Sequence, residues 1–176
     1  MANTLTATMS IAGTGQLTKT TLIDVVNQIW AIGSNNFDPT VVQFANGTGA
    51  GQANEMFIGE RTVGAGLNDD LDLSGTALQN PHNENVAFTS VRALVLDIDA
   101  ADGVLQLRIG PQGVANAFQG WQGGVGASNY NQVFKSLFVI HPFAGWTVTA
   151  GTADILRINN PSASSVTYRI LILGTK

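Results

Sequence analysis

The sequence predicts an all-β protein, and three observations carry that prediction. From residue 40 onward the chain is a succession of short runs such as TVVQFA, EMFIGERTV, DLDLSG, AFTSVRALVLDID, VLQLRIG, ADILRINN and SVTYRILILG. The runs alternate apolar with polar residues and are separated by clusters of Gly, Asn, Asp and Pro, the rhythm of a sandwich or a barrel. Apolar residues at helical spacing are confined to one stretch, residues 20–33, so helix is expected nowhere else.

Taken in order, the first fifteen residues place Leu5, Ala7, Met9 and Ile11 on one side and Thr4, Thr6, Thr8 and Ser10 on the other, a strand period ended by Gly13 and Gly15. Such a strand could complete the domain's own sheet or reach as an arm onto a neighbouring subunit. Over 20–33, Leu22, Val25, Val26, Ile29 and Trp30 fit one short helix with Thr21 and Asp24 near its start, although its β-branched residues suit a strand as well. The runs around AADG read as a hairpin, with Val91, Ala93, Val95 and Asp97 on one face and Leu94, Leu96 and Ile98 on the other. The closing pair sets Leu156 and Ile158 against Ile155, Arg157 and Asn159. After the NNPSASS turn, Val166, Tyr168, Ile170 and Ile172 oppose Thr167, Arg169 and Leu171. Ten or eleven strands result.

The division expected is an N-terminal strand or arm with its short helix over 1–39, followed by one globular β domain over 40–176. Only 11% of the chain is charged, against about a quarter in ordinary soluble domains, and the net charge is −4. A surface so poor in charge points to an assembly component, because charge is depleted at the cores of interfaces. No Lys/Arg run offers the phosphate-neutralising patch that nucleic acid requires, so neither DNA nor RNA is an expected partner. The N-terminus lacks a basic and then apolar leader, and no apolar stretch approaches the ~20 residues of a membrane span, so neither a secretory precursor nor a membrane protein is expected. With no Cys, disulfides, thiol nucleophiles and Cys-bearing metal sites are excluded.

Candidate sites reduce to structural roles. His82 sits in a Pro/Asn turn and His141 ends a strand before Pro142; neither lies in a nucleophile elbow or a metal-binding helix, so no enzyme is expected. Asp97, Asp99 and Asp102 before Gly103 resemble a calcium loop, but the third acid falls where an EF-hand has Gly and no distal Glu follows. Asp69, Asp70 and Asp72 read as a polar strand face. The glycines of NGTGAGQ (Gly47, Gly49, Gly51) and WQGGVG (Gly123, Gly124, Gly126) have neither the Lys of a phosphate loop nor a following helix. Phe118, Trp121, Tyr130 and Trp146 could form a sugar-binding platform if coplanar, and core packing is the competing role. No catalytic, cofactor or metal residue is assigned.

The combination FANGTGAGQAN (44–54), RTV (61–63), DDLDLSG (69–75) and WTVTAGTADILRINNPSASSVTYRILILG (146–174) resembles a family of small structural proteins encoded by tailed phages and prophages. The segment before Val41 and the stretches QNPHNEN and GGVGASNYN depart from it. The resemblance implies a virion protein, and with the strand rhythm it gives the expected fold: a jelly-roll-like antiparallel β-sandwich with an N-terminal arm and at most one short helix. The implied function is a capsid decoration or cement protein on the outer capsid surface, whose partners are the major capsid protein and its own copies, a trimer before a dimer. The alternative is a head-fibre or tail module that binds a receptor or carbohydrate. The uncharged loops 46–54 and 110–131 are the expected interfaces.

Overall fold

The computed structural model describes residues 7–10, 41–80, 82–99, 106–120, 122, 128–141 and 143–176. Twelve strands follow in chain order: β1 (Ala7–Ser10), β2 (Val41–Asn46), β3 (Gln52–Ala53), β4 (Glu55–Val63), β5 (Asn68–Asp72), β6 (Ser90–Ile98), β7 (Leu107–Gly110), β8 (Asn131–Val133), β9 (Ser136–Ile140), β10 (Trp146–Thr147), β11 (Ile155–Asn159) and β12 (Val166–Thr175). Among the described residues there is no helix, and the helical stretch expected over 20–33 lies outside them.

Two antiparallel sheets form the sandwich. The first has the order β10-β6-β12-β4, with β9 also paired to β6, and the second the order β5-β11-β7-β8. A small third sheet joins β1 antiparallel to β2 and β2 parallel to β3, so the N-terminal strand pairs within its own chain.

Register fixes which side chains are buried. On the inner face of the first sheet the cross-strand rows are Phe57–Ile172–Leu94–Val139, Gly59–Ile170–Leu96–Leu137 and Arg61–Tyr168–Ile98. The second sheet meets them with Leu71–Leu156, Asp69–Ile158–Ile109 and Leu107–Val133. Their apolar members, with Leu73, Leu78, Val86, Phe88 and Phe118, make one core between the sheets.

The outer face of the first sheet also alternates in rows: Met56–Leu173–Ala93–Ile140, then Ile58–Leu171–Val95–Phe138, then Glu60–Arg169–Asp97–Ser136. Phe44 of β2 and Ala53 of β3 close over the first of these rows as a second, smaller core.

Three expectations are corrected. The runs flanking AADG are not a hairpin, because β6 belongs to the first sheet and β7 to the second. The closing pair separates in the same way: β11 pairs with β5 and β7, and β12 with β4 and β6. Apolar–polar alternation is the same for a strand whose neighbour in sequence pairs beside it and for one whose neighbour crosses to the facing sheet, so pattern could not separate the two. Lastly, Val91 does not share the face of Ala93. The register shifts between Leu173 and Gly174, a β-bulge at Arg92, which returns Val91 to the main core.

Candidate functional site

The polar residues of the sandwich assemble at its edges. β4 and β5 are the adjacent edge strands of the two sheets, and Arg61 and Asp69 occupy inward-facing positions on them. Arg61 Nε and NH2 donate to the two Asp69 oxygens at 2.6 and 2.8 Å, and the Tyr168 hydroxyl donates to Asp69 Oδ2 at 2.7 Å. Burial alone would raise the Asp69 pKa, but the hydrogen bonds from Arg61 and Tyr168 outweigh it and hold the carboxyl below its ordinary value. Burial, reinforced by Asp69, drives the Tyr168 phenol far above its ordinary range. A protonated phenol and a paired carboxylate offer neither a base nor a nucleophile, so this cluster clamps one sheet to the other.

The remaining acids are spread apart. Asp70 faces out and takes a bidentate pair from Arg157, its cross-strand neighbour, at 2.7 and 2.6 Å. Asp72 Oδ1 accepts from the Ser74 N–H at 3.0 Å, and Ser74 Oγ donates to Asp154 Oδ2 at 2.8 Å. DLDLSG and TAGTAD, two segments that carry the phage resemblance, therefore meet at Ser74 and Asp154. Asp97 and Asp99 flank Arg169, which pairs with Glu60 at 2.9 Å and Asp99 at 3.8 Å; Asp102 lies outside the described residues. No group of three or more metal-ligating side chains occurs among the described residues.

The histidines are equally separate. His82 is exposed and its backbone N–H donates to Asn80 Oδ1 at 2.9 Å. His141 Nδ1 accepts the Gly145 N–H at 3.2 Å, and its ring packs edge-on against Trp146 at 5.4 Å. The aromatic platform does not form from the members that can be placed. Phe118 is buried in the core, Tyr130 lies 4.7 Å beneath the Arg108 guanidinium, and Trp146 is on the first sheet; Trp121 lies outside the described residues, as do Gly123, Gly124 and Gly126.

Two residues that pattern reading missed organise the loops. Asn160 is fully buried and its amide donates to the carbonyls of Val63, Gly64 and Ser164 at 3.1, 3.1 and 2.7 Å, tying the β4–β5 corner to the β11–β12 crossing. Arg92, at the bulge, is 3% exposed. Its guanidinium donates to Thr48 and Gly49 carbonyls at 3.0 and 3.2 Å and to the Phe143 carbonyl. It therefore joins the 47–51 turn to the 141–146 turn. No carboxylate lies within ion-pair distance of it among the described residues, and burial alone lowers its pKa.

Apolar side chains also stand exposed on the surface. Among the described residues, Ile58, Leu67, Phe134, Phe138 and Phe143 are the large hydrophobic side chains exposed to solvent. Ile58, Val95 and Leu171 line an apolar groove of about 290 Å³ on the outer face of the first sheet, bordered by Glu60, Asp97 and Arg169.

The class this defines is an all-β antiparallel sandwich whose polar side chains brace the fold and which exposes several large apolar side chains. No family model and no curated protein matches the chain. A chain of the cyanophage Pam1 capsid asymmetric unit is similar in structure at 18% identity and a TM-score of 0.36, over 73% of this chain and 87% of that one. At that level the similarity assigns neither a family nor a function.

Proposed function

We propose that the protein is a structural component of a tailed-phage virion, a decoration or cement protein that sits on the outer face of the capsid and stabilises the assembled shell. The observation that carries this reading is the contrast on its surface: Arg61, Arg157 and Arg169 are each committed to a carboxylate, while Ile58, Phe134, Phe138 and Phe143 stand uncovered. Charges satisfied within the chain and apolar groups left open suit a surface completed by other subunits. The winding supports the same reading. Strands β4, β6, β9 and β12 lie in one sheet and β5, β7, β8 and β11 in the facing one, successive strands of this set crossing between them except at the β7–β8 pair, the order expected of an eight-stranded jelly roll, an architecture frequent among capsid proteins.

In this role the globular unit is residues 40–176, the preceding segment is an arm, and no catalytic, cofactor or metal residue is needed. Copies assemble as homo-oligomers, trimers in preference to dimers. A protein that binds the closed shell and not its free subunits stabilises the shell by linkage, and many copies multiply a modest affinity. The test is co-sedimentation of the purified protein with mature shells and with isolated major-capsid subunits. Binding to shells alone is expected; equal binding to both, or to neither, overturns the reading.

A further inference from the structure

Two apolar features on different parts of the surface have no partner among the described residues and match each other. Phe143 is 72% exposed shortly before β10, and its carbonyl accepts from buried Arg92. The groove over Ile58, Val95 and Leu171 lies away from it, towards the β4 edge of the sheet, whereas the Phe143 turn follows β9 at the opposite side. At about 290 Å³ the groove is at the bottom of the ~300–1,000 Å³ range of small-molecule sites. Its walls are apolar and offer no converging set of hydrogen-bonding groups, so it suits one inserted side chain better than a polar ligand.

Charge makes the match directional. The groove's border holds Glu60 and Asp97 against one cation, Arg169, and is net negative. Behind Phe143 stands the Arg92 cation, held only by carbonyl oxygens among the described residues. An aromatic tip backed by positive charge complements an apolar groove rimmed by negative charge.

We infer that Phe143 of one copy inserts into the Ile58–Val95–Leu171 groove of a second copy, a head-to-tail contact between two different surfaces of the same chain. Such a contact leaves the pair with one free groove on the first copy and one free tip on the second, so it propagates onward and generates a ring when the rotation closes. One aromatic side chain buries about 150–250 Å². That is small against the ~1,200–2,000 Å² of a stable pair, so the faces flanking the tip and the groove supply the remainder within each pairwise contact. The inference deepens the oligomer part of the proposed function and rests on it only in taking a second copy as the occupant.

The experiment is sedimentation velocity on the full chain across a concentration series, without shells, for wild type, Phe143→Ala, Ile58→Glu and an equimolar mixture of the two variants. Wild type is expected to associate, and each variant to shift the association midpoint upward by at least about 30-fold, the scale of a hot-spot truncation. In the mixture the intact tip of Ile58→Glu meets the intact groove of Phe143→Ala, so a two-chain species should return and stop at two chains. Misfolded variants could not produce that recovery. A monomeric wild type, variants that associate like wild type, or a mixture that stays monomeric would each overturn the inference. A wild type that associates through these residues and yet ignores shells would leave it standing and sink the cement reading instead.

Discussion

The Tyr168 hydroxyl donates to Asp69 Oδ2 at 2.7 Å across the two sheets, joining residues 99 positions apart. Tyr168 is fully buried between Arg61 and Ile98 in the inner row of the first sheet, so its hydroxyl has no water to turn to when this bond is lost. Tyr168→Phe keeps the ring and removes the hydroxyl, leaving Asp69 with Arg61. A hydrogen bond to a charged group contributes about 1.5–3 kcal/mol, and a loss in that range is expected from urea unfolding. In a double-mutant cycle with Asp69→Ala the two changes should be less than additive, because each removes the same bond.

The same pair sets the pH dependence at both ends. Asp69 titrates below its ordinary value of 3.8 in the folded protein, so as pH falls the unfolded chain takes up the proton first and stability declines. The stability held by this carboxylate is full above the unfolded value and is lost as pH falls through the folded one, from about pH 5 downward. Tyr168 behaves in the opposite sense. Its folded pKa lies far above the ordinary 10.0, so above about pH 10 the unfolded phenol ionises while the native one does not, and stability falls as pH rises. Thermal midpoints measured from acid to alkaline pH should show both limbs. In Tyr168→Phe the alkaline limb should shrink, and the acid limb should shrink with it, since the phenol is one of the groups holding Asp69 down.

This clamp marks the boundary of what the sequence makes legible. The inward positions of β11 and β12, from Leu156 and Ile158 to Tyr168 and Ile172, follow from alternation because a strand's period is local. Partner choice is not local, so two sheet crossings looked like hairpins and the bulge at Arg92 reversed Val91. A signal for the clamp was nevertheless present: Arg61 shares the parity of Phe57 and Val63, and Asp69 that of Leu71. A charged residue on the apolar side of a strand must be paired, and two such residues of opposite sign on consecutive strands point to each other. Arg92 carried the weaker signal, since its partners are backbone carbonyls with no identity in the sequence.

Arg92 makes a separate prediction about the loops it joins. In Arg92→Met the apolar stem is retained and the three carbonyls lose their donor. Thr48 and Gly49 are exposed, so water replaces the guanidinium there and the global cost should stay within about 1–2 kcal/mol. The local effect should be larger. Hydrogen–deuterium exchange is expected to rise in 47–51 and 141–146 together, with β11 and β12 unchanged; a rise in only one turn would show that the two are not coupled through this side chain. Arg92→Lys should not restore protection to both, because an ammonium lacks the fork that spans them.

Two glycines separate crowding from backbone strain. Gly174, at the bulge, lies so close to β6 that an added Cβ would fall on the Ser90 carbonyl oxygen and the Phe88 ring. Neither can retreat easily: Ser90 is held in the ladder opposite Thr175, and Phe88 is packed in the core. Gly174→Ala should therefore cost about 1–3 kcal/mol or more, as overpacking does. Gly151 is the converse. Its φ of +69° is unfavourable for an L side chain, yet a Cβ there would meet nothing within 4 Å. Gly151→Ala should cost only the left-handed penalty of about 1–2 kcal/mol. Gly151→Asn, which tolerates that conformation, should recover part of the loss, whereas Gly174→Asn should be worse than Gly174→Ala. Unfolding midpoints of the four variants decide it: equal losses at the two sites, or recovery by Asn at Gly174, would mean that crowding against Ser90 is not what the glycine relieves.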